Sequence, residues 1–253
     1  MYLSDTLILV RGGGDLGTGV AHRLNRSGFT VMVTELARPL AVRRAVAFAV
    51  VDEVPVVVDL DGSVVSRMKP PVVVDARMAK RRLDTRLTDA SLVIGLGPGL
   101  VAGQDCHAVV ETNRGHNLGR VYWEGSAEAD TGQPEPVLGA AGERVLRAPA
   151  GGVFTGRRQI GDQVHAGDVL GDVAGQPVTA KFDGVLRGLL HDGVAVTQGA
   201  KIGDVDPRGV RDFCFTISDK ARAIGGGVLE ALLAGIEYWR PELRPEERDQ
   251  GLP

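Results

Sequence analysis

Cysteine is scarce in this chain, with Cys106 and Cys214 the only two among 253 residues. Two cysteines without a CxxC spacing exclude a disulfide framework and a zinc ribbon, and fit a reducing compartment. Aromatic residues make up only 4% of the chain, and no apolar run reaches the ~18 residues that span a bilayer. The formal net charge of -3 gives no electrostatic reason to bind nucleic acid or an anionic membrane. Met1 leads straight into a strand-like run, without the basic stretch and apolar core of an export signal, so a cytoplasmic location is expected. Glycine, in contrast, is abundant. Its 35 positions follow no collagen-like period and imply many tight turns.

The first cluster lies in "TLILVRGGGDLGTGVAHRLN", where an apolar strand meets Gly12, Gly14 and Gly17 in the spacing GxGxxG before a helix. In such a turn the first glycine permits the bend and the second lets a pyrophosphate approach the backbone. The third seats the helix on the strand. The helix start adds free N–H groups and a partial positive charge, so Gly13 and Asp15 join the expected cofactor-binding set. Gly28 ends the helix, and a second strand, "FTVMVTE", closes on Glu35, placed where such folds grip a ribose hydroxyl. A turn kept only for packing is the competing explanation. Arg38, Arg43 and Arg44 suit either a second anionic group or a solvated helix face.

Strands are also expected at "PVVVDAR" and "SLVIGLGPG", with a surface helix over residues 78–89 between them and a hairpin over 54–65 around Asp61-Gly62. Ligands of a parallel sheet lie beyond the C-terminal strand ends. That edge gathers the glycine turn, Glu35 and Gly97, with Asp75, Arg77 and Arg114 as substrate-binding positions; Asp75 equally suits a helix cap. "DCHAVVETNRGHNLGRVYW" resembles a hairpin with Arg114 and His116 near its turn. Cys106, His107 and His116 are its catalytic candidates, as a thiol or as proton carriers. Adjacent strand residues point to opposite faces, which argues against a Cys106–His107 pair, and the spacing is not that of a metal site. Residues 125–144 read as a linker.

Residues 148–173 align without a gap on residues 180–205, ten of 26 positions being identical, mostly turn glycines and valines. The duplication resembles the barrel-sandwich fold of biotinyl and lipoyl carrier domains. The connection "AGQPVT" lacks their acylated lysine, so no covalent biotin or lipoate is expected. Residues 217–239 form a helix capped by Ser218 and interrupted by Gly225, Gly226 and Gly227, which points to close packing or to a ligand at that backbone. The whole is α/β. A Rossmann-like parallel-sheet domain (1–104) is followed by a hairpin and linker (105–146), an all-β barrel-sandwich hybrid module (147–207) and a C-terminal helix packing back on the first domain (208–253).

The motifs "VRGGGDLGTGVAHRL", "PLAVRRAV", "VVVDARMAK", "LVIGLGPGLVAGQDCHAVVETNRGH", "GVLRGLL", "KIGDVDPR" and "ISDKARAIGGGVLEALL", in that order, resemble the accessory-protein family of the selenium-dependent molybdenum hydroxylase system. That resemblance implies a bacterial cytoplasmic protein maturing xanthine-dehydrogenase-like enzymes, with a hydroxylase subunit as partner. It names no catalytic residue. The expected cofactor is a dinucleotide, either NAD(P) or a molybdopterin dinucleotide. An NAD(P)-dependent oxidoreductase and a non-catalytic scaffold are the alternatives, and a homo-oligomer is left open.

Overall fold

The computed structural model describes residues 3–47, 54–78, 84–130, 137–140 and 142–240. Leu7–Arg11 (β1) is apolar until its last residue, because a central parallel strand is buried on both faces. The glycine turn leads into helix α1 (Asp15–Arg26) and then to β2 (Thr30–Glu35), β3 (Val56–Val58), helix α2 (Ser63–Met68) and β4 (Val72–Asp75). After these come β5 (Leu92–Leu96), β6 (Val101–Ala102), β7 (Ala108–Val110), β8 (Val121–Tyr122) and β9 (Gly125–Ser126). Seven of them form one sheet in the order β3-β2-β1-β4-β5-β7-β8, parallel except for β8. Strand parity divides the core. Ile8, Val10, Val72, Val74, Leu92 and Ile94 face α1, whereas Leu9 and Val73 face α2.

Eight short strands follow: β10 (Val145–Arg147), β11 (Gly152–Gly156), β12 (Gln163–Val164), β13 (Val169–Val173), β14 (Gln176–Thr179), β15 (Gly184–Leu189), β16 (Ala195–Val196) and β17 (Lys201–Asp206). They make two four-stranded antiparallel sheets, β10-β17-β15-β12 and β14-β13-β11-β16. Exchanging each strand for its partner in the repeat turns one order into the other, so each sheet draws strands from both copies. Hydrogen bonds repeat likewise. Gly161 N donates to Leu186 O and Gly193 N to Phe154 O, while Gly167 N donates to Ala180 O and Gly199 N to Ala148 O. All four glycines have φ between 80° and 98°, which is why glycine survives at these matched turns.

Helix α3 (Asp219–Ala234) starts at Ser218, whose hydroxyl accepts from Ala221 N at 3.1 Å, and runs into the short α4 (Ile236–Trp239). It lies against α1 at contact distance. A Cβ on Gly19 would meet Ala221 O at 2.8 Å, and one on Gly225 would meet Gly19 O at 2.9 Å. The chain is therefore a mixed α/β protein with one largely parallel sheet, several antiparallel ones and few helices.

Three expectations need correction. The 54–65 hairpin is instead a parallel edge strand, β3, followed by α2, because Asp61 Oδ1 caps Ser63 N at 3.1 Å and Gly62 takes φ 75° at the helix start. The surface helix over 78–89 is not formed by its described part, where the only helical turn is Leu87–Asp89; positions 79–83 lie outside the described residues. Much of the supposed linker is tied down: β9 pairs with β6, and Glu128 N donates to Glu111 Oε2 at 2.7 Å; positions 131–136 and 141 lie outside the described residues. Among the described residues, no helix is long and apolar enough to cross a membrane.

Candidate functional site

The three glycines of the turn after β1 have distinct surroundings. Gly12 takes φ 97°, and a Cβ there would lie 2.9 Å from the Arg77 Cα, so the turn presses against the segment after β4. A side chain at Gly17 would run into the carbonyl oxygen of Gly12. Gly14 is different: it is extended (φ -66°, ψ -174°), caps α1, and a Cβ would meet nothing within 4 Å. The turn itself is held by Gly12 N donating to Thr34 O at 2.8 Å and by Thr18 Oγ1 donating to Gly13 O at 3.1 Å. Beyond Gly14 the first-turn amides of α1 have no intrahelical acceptor, as in any helix start.

Two acids sit at this turn. Glu35 shares the strand face of Val31 and Val33, which packs towards α1, and its carboxylate accepts from Gly13 N at 2.9 Å and from Leu36 N at 2.7 Å. Asp15, the first residue of α1, is paired with Arg43 at 2.5 Å. Arg43 is buried and also donates to the carbonyls of Phe213 (2.9 Å) and Thr216 (3.1 Å). Arg44 Nε donates to Leu189 O at 3.0 Å, and Leu189 N donates to Val42 O at 2.7 Å. The run 42–44 therefore stitches the glycine turn to β15 and is not the solvated helix face that its charge suggested; of the three arginines only Arg43 is buried. Gly97 (φ 69°) belongs to the same sheet edge, where a Cβ would lie 3.0 Å from Met78 Cε. Arg114 holds Asp219, at the start of α3, through two bonds of 2.6 Å, and His116 is exposed nearby in sequence.

Asp75 and Arg77 do not face the turn. By strand parity Asp75 lies with Val73 on the α2 face. It is buried and grips Arg77 Nη2 at 2.7 Å and Arg77 Nε at 3.1 Å, and it also accepts from the Thr85 hydroxyl. Arg77 and the buried Arg11 converge on Asp84 at 2.7 Å and 3.1 Å. An open cavity of about 840 Å³ lies beside this network, lined by Arg11, Val65, Lys69, Pro71, Asp84 and Asp89 among others. The fork recurs at the end of β17: Arg208 donates to Asp206 through its own N–H (3.1 Å), Nε (2.9 Å) and Nη2 (2.6 Å).

Cys106 and His107 precede β7, at the end of the sheet opposite the glycine turn, whereas Arg114 and His116 follow it. The expected cluster is thus divided by the strand itself. Cys106 is fully buried among Val93, Leu100 and Ala102, and burial pushes its thiol up to about 12, so no thiolate is available for nucleophilic chemistry. His107 accepts from Val93 N through Nδ1 at 3.0 Å, tilts against Tyr238, and is held below its ordinary pKa by burial. Among the described residues, no group of three or more His, Cys, Asp or Glu side chains is placed to hold a metal.

No family model matches the chain. Uncharacterized protein YqeB of Escherichia coli strain K12 is 44% identical over 255 residues, an alignment covering 90% of this chain and 47% of that protein. The chain thus spans about half the length of this curated relative. Among the solved structures that match distantly are the following three. An aspartoacylase family protein from Mesorhizobium loti has 13% identity and a TM-score of 0.28. A succinylglutamate desuccinylase/aspartoacylase from Rhodobacter sphaeroides has 16% and 0.27, and the ectoine utilization protein EutE (DoeB) from Ruegeria pomeroyi 13% and 0.27. Each alignment covers 79% of this chain and 84% of the other.

These findings correct the expected kinship with the selenium-dependent molybdenum hydroxylase accessory family. The sequence relative carries no such role in its name, and the three structures are named as an aspartoacylase family protein, a succinylglutamate desuccinylase/aspartoacylase and an ectoine utilization protein. The maturation role falls with the kinship. None of these four proteins is named as a nucleotide-binding protein, an NAD(P) oxidoreductase or a scaffold either.

Proposed function

We propose that this chain binds a small phosphorylated ligand, its phosphate or pyrophosphate resting on the turn Gly12–Gly14 and the first-turn amides of α1; a dinucleotide is one ligand of that kind. The observation carrying the proposal is the division among the glycines. Gly12 and Gly17 are required by contacts within the protein, while Gly14 has open space before it and no contact that a side chain would disturb. A glycine at the mouth of a helix with no internal packing role fits close approach of a ligand to the backbone. The pairing of Asp15 with Arg43 supports the same reading, since it offsets the carboxylate on the first residue of α1.

The strand order β3-β2-β1-β4-β5 supports a doubly wound, Rossmann-like fold for the first part, with its topological switch between β1 and β4 where Gly12 meets Arg77. The interlocked repeat supports a barrel-sandwich hybrid for the second. A cytoplasmic location belongs to the same proposal. Calorimetric titration with inorganic pyrophosphate and with NAD⁺ tests it: binding of pyrophosphate is expected, and heat-silent titrations with both compounds would overturn it.

A further inference from the structure

The cavity on the α2 face is lined by charged groups that the protein's own contacts leave partly unused. Arg11 lines it with a side chain only 5% exposed. Asp84 takes one nitrogen of that guanidinium, Nη2 at 3.1 Å, and lies closer to Arg77, at 2.7 Å. Nη1 has Asp89 at 3.9 Å, beyond hydrogen-bond reach, and among the described residues neither Nη1 nor Nε has an acceptor. Neither nitrogen is shut away from solvent, so their donors open on the cavity. Space for the guanidinium is kept by Gly62, where a Cβ would lie 2.8 Å from Arg11 Nη2.

The other two charges of the lining are of opposite sign. Lys69, exposed at the end of α2, makes no ion pair among the described residues. Asp89 is 20% exposed on its side chain, and its two ties both fall on Oδ2: the Arg86 amide at 3.1 Å and the long contact with Arg11. Its Oδ1 is left without a partner among the described residues. Apolar surface comes from Val65 and Pro71. At about 840 Å³ the space is of the size that small-molecule sites occupy.

Charge decides the class of ligand. The pairs Asp75–Arg77 and Arg11–Asp84 cancel, and Lys69 and Asp89 remain, summing to zero. A simple anion would answer Arg11 and Lys69 but oppose Asp89. A simple cation would answer Asp89 and oppose the other two. Only a zwitterion answers both. We infer that this cavity binds a free amino acid, its carboxylate on Arg11 and Lys69, its ammonium on Asp89 Oδ1, and its side chain against Val65 and Pro71. The site lies on the sheet face away from α1, so the inference does not depend on the phosphate site.

The test begins with thermal unfolding of the full chain in the presence of each common L-amino acid in turn. The one that stabilises most is then titrated calorimetrically beside its N-acetyl derivative and its carboxamide. At least one amino acid is expected to raise the midpoint. Both blocked forms should bind about tenfold or more weakly, because each leaves a charge of the site unanswered. Asp89→Asn keeps an oxygen for the Arg86 amide and should lose about tenfold for the amino acid, with no loss for the N-acetyl derivative. Lys69→Ala, at an exposed position, should lose about threefold, and it decides if Asp89→Asn does not fold. The inference is overturned if no amino acid moves the midpoint, if the N-acetyl derivative binds as tightly as the amino acid, or if the folded variants bind as the wild type does.

Discussion

The carboxylate of Glu35 lies 2.9 Å from the amide nitrogen of Gly13 and accepts its hydrogen bond, so the acid at the end of β2 closes on the turn at the end of β1. With its second oxygen on Leu36 N, Glu35 is engaged by backbone rather than held out for a ribose. It also places a negative charge beside the proposed phosphate. Glu35→Gln keeps a carbonyl oxygen for Gly13 and removes that charge. At ~6 Å and an intermediate dielectric the repulsion is about 1 kcal/mol, so pyrophosphate should bind several-fold more tightly. Titration checks this; unchanged pyrophosphate affinity with weaker NAD⁺ binding would return Glu35 to the ribose.

The three consecutive glycines of α3 are expected to behave unequally. Gly227 faces the carbonyl of Gly119, and a Cβ there would collide with that oxygen and lie 2.8 Å from Val110 Cγ1, whereas one on Gly226 would meet nothing. Gly226→Ala should raise stability by up to ~1 kcal/mol through helix propensity. Gly227→Ala should lower it by ~1–3 kcal/mol, because backbone must move. Urea unfolding of the two variants distinguishes them, and equal effects would refute the close seating of α3.

Acid should loosen the network on the α2 face. Burial favours the neutral form of Asp84, but hydrogen bonds and charge from Arg77 and Arg11 prevail and bring its pKa down to about 2 from an ordinary 3.8. A carboxyl depressed in the folded state stabilises fully above its unfolded pKa, and that contribution fades as pH falls through the folded one. The stability difference between wild type and Asp84→Asn should therefore be constant above pH ~5 and vanish towards pH ~2. Asp84 is 57% exposed on its side chain, so the difference should be small and should shrink in salt. A difference that persists at pH ~2 would contradict the assignment.

Much of this architecture is written locally. The apolar run of β1, the spacing of Gly12, Gly14 and Gly17, and the 32-residue offset between Gly161 and Gly193 each impose a turn or strand by short-range sterics. The site was less legible, because its charges converge through tertiary contacts. Arg43 meets Asp15 and Phe213, 28 and 170 positions away, and no local pattern separates it from the exposed Arg38. Two signals were nonetheless present. Parity along β4 puts Asp75 with Val73, away from α1, and the shared strings "VDAR" and "VDPR" announce the same Asp–Arg fork at the ends of β4 and β17. Cys106 and His116 looked adjacent only because a strand of three residues, ~10 Å long, was read as part of one cluster.

The phosphate site is tested most directly by titrating inorganic pyrophosphate into the wild-type chain and Gly14→Val side by side, with thermal unfolding of both. A Cβ at this position meets nothing within 4 Å and its extended backbone is one that valine adopts, so the variant should unfold within a few degrees of wild type while its pyrophosphate affinity falls at least about tenfold. Equal binding by the two proteins, or no binding by the wild type, would contradict the proposed site.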